Sequence, residues 1–420
     1  AHFLGYVSLP SEKEIDENEP NLFMHPEFRV GKFGIEKTFD ETLRGKYGVR
    51  YVEVDVHEAP LRTLSIKQSQ EGPRLHLTID IRLQQFVTQR IKDVVASVVV
   101  MDVNTGEIIS YASSPTFNPN NTKKVALSLM RNPSVQDVYE PGSTGKVMTM
   151  AAALEEKTIT PTTVFTVPYM LKRGGSPFHD HEPHPTQQLT SSGILAVSSN
   201  TGTIKVGETM SNDTLHNYLT RFGIGSKTGS GLPGESAGLL RPVSNWSGTT
   251  APTVAFGQGY SLTAMQATSV FATIANNGVR VSPTVIAGTS DASGHFTPAA
   301  NRSSVRVIGE DTAAKLRTMM ESVVSANGTA PSAAIPGYRV AGKTGTAQRV
   351  DPLTGKYSGY TASFIGFAPA DSPRYVINVT LQRPRNGHFG GSLCGPVFKK
   401  VMTFVLQSEH VAPTGTTVER

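Results

Sequence analysis

Residues 139–157 read Tyr-Glu-Pro-Gly-Ser-Thr-Gly-Lys-Val-Met-Thr-Met-Ala-Ala-Ala-Leu-Glu-Glu-Lys, and the interpretation of the whole chain starts from them. The segment 145–157 is strongly helical in composition, and apolar residues occupy nearly every face of the predicted helix. A helix of this kind is buried inside a domain. The Glu140-Pro-Gly142 stretch gives way to this helix, which places Ser143 and Lys146 at its start.

Apolar β-rich runs and helical segments surround this helix without a repeated βαβ unit. Residues 97–103 and 107–112 flank Asn104-Thr-Gly106, a pattern typical of a β-hairpin. Other strands are expected at 76–79, 338–350, 361–367 and 374–382, and other helices at 81–95, 191–197, 201–210, 262–277 and 396–407. Hairpin-connected strands with a long helical insertion predict an α+β fold, an antiparallel sheet flanked by helices.

The first 75 residues differ from the rest because they are polar and carry short alternating stretches. Residues 51–56 alternate with a period of two, which predicts a half-buried strand. The stretch at 70–74, Gln-Glu-Gly-Pro-Arg, is polar and contains Gly and Pro, which is typical of a boundary between domains. We therefore expect an elongated β-rich N-terminal part at 1–75 and a second domain at 76–420.

Composition excludes several classes of protein. The 420 residues allow two or three domains of about 150 residues each, and 38% hydrophobic residues suffice for a sizeable core. A charged fraction of 17% is too small for a coiled coil, and a dispersed net charge of +5 argues against nucleic acid as a partner. The single cysteine, Cys394, excludes an internal disulfide and a cysteine-based zinc site, and we expect it to be a buried free thiol.

The longest apolar run, at 94–101, is far shorter than the roughly 20 residues that span a bilayer. The chain opens at Ala1 without a methionine and in the middle of a pattern. We therefore expect that an anchor or signal segment precedes it in the natural protein.

Ser143 and Lys146 are candidates for a nucleophile and its base. Residues three apart share one face of a helix, so we expect the Ser143 hydroxyl to meet the Lys146 amine. A serine needs a base to remove its proton, and a lysine serves as that base only if burial or a second cation lowers its pKa. By itself the Ser-x-x-Lys spacing is common, and a capping serine followed by an exposed lysine is the more frequent explanation of the isolated motif.

Two further short segments offer groups that complement this pair. Ser198-Ser-Asn200 lies between two predicted helices, where a second serine could relay protons and an asparagine could hold the lysine. Lys343-Thr-Gly-Thr346 lies on a predicted strand. There the lysine supplies a second cation, the two threonine hydroxyls suit a carboxylate, and Gly345 allows a ligand close to the backbone. Each segment is weak evidence alone, and the ordered set of three is specific.

Two competing interpretations use other patterns. Residues 337–344 match the phosphate-binding pattern G-x-x-x-x-G-K-[ST], but that loop must open a helix, and here strand-like residues surround it. His179-Asp-His-Glu-Pro-His184 contains possible zinc ligands, but Pro183 and Pro185 favour an extended, solvated loop. We therefore expect no metal and no organic cofactor.

The motif set resembles that of the penicillin-recognising serine enzymes. The surrounding residues 139–146, 198–205, 256–259 and 341–348 are similar to class B penicillin-binding proteins, which are monofunctional peptidoglycan D,D-transpeptidases. The resemblance covers about residues 75–410, and residues 34–45 resemble the pedestal of the same class. It implies a penicillin-binding transpeptidase fold preceded by an elongated pedestal, and the catalytic half favours the division type.

The resemblance also implies roles for individual residues. Ser143 would be the acylated nucleophile, Lys146 its general base and Ser198 the relay that carries the proton to the leaving amine. Asn200 would orient Lys146 and the donor peptide. The backbone N–H groups of Ser143 and Thr346 would form the oxyanion hole.

The strand segment would then bind the substrate carboxylate. Lys343 would supply positive field, Thr344 and Thr346 would bind the carboxylate, and Gly345 would lie beside them. Stem peptides of peptidoglycan and β-lactam antibiotics would be the ligands, outside the cytoplasmic membrane, with a membrane glycosyltransferase as partner. The alternatives are a β-lactamase or β-lactam sensor of the same fold and, in a different class, a catalytically inactive cell-wall scaffold.

Overall fold

The regular elements follow from these local patterns over the residues that the computed structural model describes, 1–15, 26–300, 302–350 and 357–415. The strands in chain order are β1 (Tyr6–Ser8), β2 (Val30–Phe33), β3 (Val49–Val54), β4 (Pro60–Lys67), β5 (Arg74–Leu77), β6 (Ala96–Asp102), β7 (Ile108–Ser114), β8 (Val138–Tyr139), β9 (Val164–Val167), β10 (Met170–Arg173), β11 (Ser176–His179), β12 (Gln187–Thr190), β13 (Leu262–Thr263), β14 (Val279–Val281), β15 (Ile286–Ser290), β16 (Phe296–Pro298), β17 (Ser304–Arg306), β18 (Ala341–Val350), β19 (Tyr357–Ala368) and β20 (Tyr375–Gln382).

The helices in chain order are α1 (Gly34–Thr38), α2 (Asp40–Arg44), α3 (Ile81–Ile91), α4 (Leu127–Met130), α5 (Pro133–Gln136), α6 (Lys146–Glu155), α7 (Ser191–Ala196), α8 (Asn200–Gly207), α9 (Asn212–Arg221), α10 (Thr250–Ala255), α11 (Ala264–Ala275), α12 (Glu310–Glu321) and α13 (Gly390–Ser408). Asp80 caps α3, because its carboxylate accepts hydrogen bonds from the backbone N–H groups of Arg82 and Leu83.

The central sheet has the order β18-β19-β20-β6-β7, and every neighbouring pair is antiparallel. The predicted hairpin around 104–106 is β6–β7. The inner strand β6 is buried along most of its length, which explains why its sequence is a continuous apolar run and not an alternating one. The predicted α+β fold with an antiparallel sheet is confirmed.

Helices cover both faces of this sheet. On one face, Ile365 of β19 lies opposite Asn378 of β20. The Asn378 amide on this face donates to the Ala264 carbonyl of α11 over 2.9 Å. Phe364 points to the other face, where its ring contacts Phe398 of α13. Helix α3 joins α13 there through stacked Phe86 and Phe404 rings, 4.6 Å apart.

The interior helices are α6 and α11. All residues of α11 are buried, and all of α6 are buried except its last residue. The predicted helix at 145–157 is therefore correct in place and in burial. It starts at Lys146, because a 3-10 turn at Gly142–Gly145 precedes it.

The N-terminal part forms small two-stranded sheets, β1–β2 and β3–β4. The strand predicted at 51–56 exists as β3, but its half-buried character was wrong, because β3 and β4 are exposed along nearly all of their length. Their alternating pattern lies on a hairpin with no layer packed against either face among the described residues.

The last helix is longer than predicted. It begins at Gly390 and not at residue 396, and Pro396 lies inside it. Proline usually marks the first turn of a helix, which led to the late start. The first residue of this helix packs tightly against β19 of the sheet, since a Cβ atom at Gly390 would lie 2.0 Å from the Ser363 carbonyl oxygen. Among the described residues, no helix is long and apolar enough to cross a membrane.

Candidate active site

Ser143 lies on the 3-10 turn that leads into α6. Gly142 has φ +54° and its N–H donates to the Gly257 carbonyl over 2.8 Å. Gly257 itself has φ +94°, and a Cβ atom there would lie 1.9 Å from the Gly142 carbonyl oxygen. The glycine at 257 is therefore required by the close approach of two backbones, which holds the serine turn in place.

Lys146 is fully buried, and its three ammonium protons all have acceptors. Nζ donates to the Ser198 carbonyl over 2.5 Å, to Ser198 Oγ over 3.2 Å and to Asn200 Oδ1 over 2.7 Å. Burial lowers the pKa of Lys146 to about 7, although the negative charge of the Asp180 carboxylate raises it. The sequence predicted a contact between Ser143 and Lys146, but within the described part of the chain no hydrogen bond joins Ser143 Oγ to this amine.

Ser198 lies between α7 and α8 and has φ +62°, an unusual backbone conformation for a serine. Lys343 Nζ donates to Ser198 Oγ over 2.8 Å, so the amines of Lys146 and Lys343 meet at one hydroxyl. Both acceptor positions of that oxygen are thereby used, which leaves its own proton for a third group.

Lys343 occupies the third position of β18 and is fully buried. Burial first, and then the positive charge of Lys146, lowers the pKa of Lys343 well below its usual range. Since β18 continues as a strand to Val350, this lysine does not open a helix. That geometry rules out the phosphate-binding loop.

Of the other residues in the strand segment, the two threonines face the cavity and the glycine faces the serine turn. Thr344 and Thr346 line the cavity described below. Thr344 Oγ1 is 2.8 Å from Thr329 Oγ1, and Thr346 Oγ1 lies 3.4 Å from the Gly390 N–H. At Gly345 a Cβ atom would meet Ser363 Oγ at 2.3 Å and Thr144 Cγ2 at 3.0 Å. Gly345 therefore admits the serine turn and not a ligand, which corrects the reason that the sequence suggested for it.

These groups surround a cavity of about 490 Å³. Its lining includes the predicted residues Ser143, Ser198, Asn200, Thr344 and Thr346. Sequence reasoning did not find the other lining residues, among them Asp180, His181, Glu182, His184, Gln187, Phe256, Gln258, Thr329, Phe389, Gly390 and Gly391. Residues 256–259 had appeared only as part of a similar stretch, without a role.

The loop at 179–184 forms part of this lining. His181 and Glu182 are exposed as expected, but Asp180 is buried, so the solvated-loop interpretation was wrong at this position. Within the described ranges, no cluster of three His, Cys, Asp or Glu residues has the arrangement of a metal site. Cys394 is a buried free thiol as predicted, and burial raises its pKa to about 12.

The chain is similar to known proteins along almost its whole length. The penicillin binding protein transpeptidase domain matches residues 96–403, and the penicillin-binding protein dimerisation domain matches residues 1–77. PbpB of Mycolicibacterium smegmatis is 37% identical over an alignment of 401 positions that covers 91% of this chain and 62% of that protein. Peptidoglycan D,D-transpeptidase FtsI of Escherichia coli K12 is 34% identical over an alignment of 429 positions that covers 99% of this chain and 67% of that protein.

A solved structure agrees with these matches. Penicillin-binding protein 3 of Mycobacterium tuberculosis, complexed with aztreonam, superimposes with a TM-score of 0.83 at 32% identity, covering 100% of this chain and 91% of that one. The chain spans 62% of the length of PbpB of Mycolicibacterium smegmatis and 59% of the length of PbpB of Mycobacterium tuberculosis. The matches to both domains show that the chain belongs to the penicillin-binding protein transpeptidase family, as a class B penicillin-binding protein.

Proposed function

We propose that the chain is a peptidoglycan D,D-transpeptidase that crosslinks stem peptides through a serine acyl-enzyme and is acylated by β-lactams at the same serine. The observation that carries the proposal is the buried Lys146 amine, whose pKa of about 7 makes it a usable base at neutral pH. The relative FtsI is named a peptidoglycan D,D-transpeptidase, and the solved relative binds aztreonam.

In the first step Ser143 Oγ attacks the carbonyl carbon of the terminal D-Ala–D-Ala bond. Its proton passes to the neutral Lys146 amine, a bond forms between Oγ and the carbonyl carbon, and the backbone N–H groups of Ser143 and Thr346 stabilise the oxyanion. The carbon–nitrogen bond then breaks. Ser198 supplies a proton to the leaving amine and is reprotonated by Lys146, and D-alanine departs.

In the second step an amine of a neighbouring stem peptide attacks the acyl-enzyme. Ser198 accepts a proton from that amine and passes its own proton to the neutral Lys146, the new amide forms, and Ser143 Oγ leaves and recovers its proton from Lys146. Asn200 orients Lys146 through its 2.7 Å hydrogen bond throughout. This cycle needs no metal and no organic cofactor.

Substrate recognition rests on the strand segment of β18. Thr344 and Thr346 offer hydroxyls at the cavity, and the buried Lys343 beneath them supplies positive field. D-Ala–D-Ala peptides and penicillins share a free carboxylate, which this arrangement suits. Gly345 supports the segment by admitting the serine turn.

We also propose the division of the chain into a pedestal at 1–75 and a transpeptidase domain at 76–420. The limits of the two domain matches, 1–77 and 96–403, support it. Since peptidoglycan lies outside the cytoplasmic membrane, the enzyme acts there, held by an N-terminal anchor. A membrane glycosyltransferase of the division or elongation machinery is its partner.

The test is incubation with a fluorescent penicillin followed by mass analysis of the adduct. We expect one stable adduct on Ser143, lost in Ser143→Ala and kept in Ser192→Ala, a serine of α7 away from the cavity. Labelling that survives Ser143→Ala contradicts the assignment. Rapid hydrolysis of the antibiotic indicates a β-lactamase, and no adduct in a folded chain indicates a scaffold.

A further inference from the structure

Asp180 is a buried carboxylate that the mechanism above does not use. It accepts hydrogen bonds from Ser199 Oγ over 2.6 Å, from the Asn200 N–H over 2.5 Å and from the Thr201 N–H over 2.9 Å. The loop at 179–184 thus caps the first turn of α8 with a negative charge from outside that helix. This cap fixes the backbone on which Ser198 and Asn200 stand.

A single residue connects this carboxylate to the proposed base. Asn200 donates its backbone N–H to Asp180 and accepts a hydrogen bond from Lys146 through Oδ1. The negative charge therefore lies close behind the buried amine, where the dielectric is low. It favours the ammonium form of Lys146, against the desolvation that favours the neutral amine.

His184 covers the outer side of Asp180. Its Nε2 is 3.0 Å from Asp180 Oδ2, and its Nδ1 is 2.7 Å from the Pro185 carbonyl. A carboxylate and a carbonyl only accept hydrogen bonds, so both ring nitrogens donate together only in the imidazolium form. The Gln187 amide nitrogen lies 3.3 Å from the same Nδ1 and is the donor from which a neutral His184 ring would accept. The hydrogen bond to Pro185, and also that to Asp180, raises the pKa of His184.

The charged and titratable groups around this network come from three elements. They are Lys146 on α6, Lys343 on β18, and His179, Asp180, His181, Glu182 and His184 in the loop and at its start. The His179 ring contacts Tyr169, as the His184 ring does, and its Nδ1 lies 2.8 Å from the backbone carbonyl of Asp180 and not from the carboxylate. The His181 ring contacts Phe389. From this loop, the side chains of His184 and Asp180 form a hydrogen-bonded chain that reaches Lys146 through Asn200.

We propose that Asp180 is a positioning residue of the acylation reaction, and that the charge on His184 sets how strongly the Asp180 carboxylate holds Lys146 as an ammonium ion. The inference rests on the proposed function. Its consequence is a pH response built from the loop at 179–184: a protonated His184 offsets the carboxylate and releases the base at lower pH, and a neutral His184 leaves the carboxylate uncompensated.

The experiment measures the second-order rate of acylation by a fluorescent penicillin from pH 5.5 to 9.5 for the full chain and two variants. Asp180→Asn keeps the shape and the acceptor for the Asn200 N–H but removes the charge, so the midpoint of the pH curve moves down by about 0.5–1 pH unit. His184→Gln keeps a donor toward Asp180 but removes the cation, so the midpoint moves up by about 0.3–0.5 pH unit.

Ser199→Ala is the matched control. It removes the 2.6 Å hydrogen bond that Ser199, the residue before α8, donates to Asp180, and it changes no charge. It should therefore lower the plateau rate and leave the midpoint in place. Midpoints of Asp180→Asn and His184→Gln that equal the wild-type value would overturn the inference and leave the proposed function intact. If Asp180→Asn does not fold, an unchanged midpoint in His184→Gln overturns it alone. A wild-type chain without a Ser143 adduct overturns the proposed function itself.

Discussion

The amines of Lys146 and Lys343 share one acceptor, Ser198 Oγ, at distances of 3.2 and 2.8 Å. Two ammonium ions so close in a dry environment repel each other, and both are also deprived of water. Burial lowers the pKa of both lysines, and the charge of Lys146 lowers the pKa of Lys343 further. The pKa of Lys146 is about 7, so about half of this amine is neutral at neutral pH. A lysine can thus act as a base without a histidine, because its surroundings and not its chemical type set its protonation.

The pH dependence of acylation tests this account. Above a pKa of about 7, most Lys146 is neutral and accepts the Ser143 proton, and below it most is protonated. The acylation rate of the wild-type chain should therefore rise with pH through a midpoint near 7 and then reach a plateau. Stopped-flow measurement with a fluorescent penicillin gives the curve. Lys146→Arg should abolish it, since guanidinium stays protonated, and a rate independent of pH would contradict the role of Lys146.

Thr346 makes a separate prediction at the same scale. Thr346→Val keeps the shape, the strand propensity and the backbone N–H and removes one hydroxyl bond to a carboxylate, worth roughly 1.5–3 kcal/mol. Acylation by penicillin should slow by about one to two orders of magnitude. An analogue with an esterified carboxylate should lose much less. Equal losses for acid and ester would show that Thr346 acts through the oxyanion geometry.

At the scale of elements, the serine turn depends on a second turn far away in sequence. The backbones at Gly142 and Gly257 touch, and a hydrogen bond of 2.8 Å joins them. Strand β18 closes the other side, where Gly345 leaves room for Thr144. The position of Ser143, the proposed nucleophile, is therefore fixed by glycines on three segments, since a side chain at any of the three contacts would push the turn outward.

Gly257→Ala tests this arrangement against Gly259→Ala as a matched control. Both glycines have positive φ, so each substitution carries a strain of about 1–2 kcal/mol. A Cβ atom at Gly259 meets nothing closer than 3.6 Å, while one at Gly257 lies 1.9 Å from the Gly142 oxygen. Gly257→Ala should therefore have the lower melting temperature and, by displacing Ser143, slow acylation by about 100-fold. Equal acylation rates in the two variants would show that this contact does not position the serine.

At the scale of the whole molecule, one segment of the N-terminal part packs into the core of the catalytic part, and another does not. Phe3 and Ile35 are buried in the main hydrophobic core, and the Phe3 ring contacts Tyr111 of β7 edge-on. The β3–β4 hairpin stands away from that core with both faces exposed. Backbone hydrogen bonds between Lys46 and Gln70 close the base of the hairpin.

Two deletions test the packed segment around Phe3 and Ile35 and the exposed β3–β4 hairpin separately. Replacing residues 47–69 with two glycines should leave the melting temperature and penicillin acylation nearly unchanged, because the deleted strands bury little apolar surface. A chain that begins at Leu75 should still react with penicillin but melt at a lower temperature, since burial of Phe3 and Ile35 contributes about 1.5–3 kcal/mol each. Differential scanning calorimetry and penicillin labelling measure both effects. A folded but unreactive shorter chain would contradict the proposed domain division.

The sequence alone determined the elements that depend on local order. The β6–β7 hairpin, the buried helix α6 and the cap at Asp80 follow from apolar runs, turn residues and capping residues that are neighbours in the chain. It also determined the candidate residues Ser143, Lys146, Ser198, Asn200 and Lys343, because their three short motifs occur in a specific order.

Tertiary structure alone decided how these motifs meet and what supports them. Lys343 reaches Ser198 across 145 positions of sequence, and Asp180 caps a helix that begins 20 residues later. No periodicity or capping spacing encodes such contacts, since they arise from the packing of separate elements around one core. The same holds for the exposure of β3, whose alternating pattern predicted a buried face. A pattern states that a face could be buried, and only the assembled fold supplies the surface that buries it.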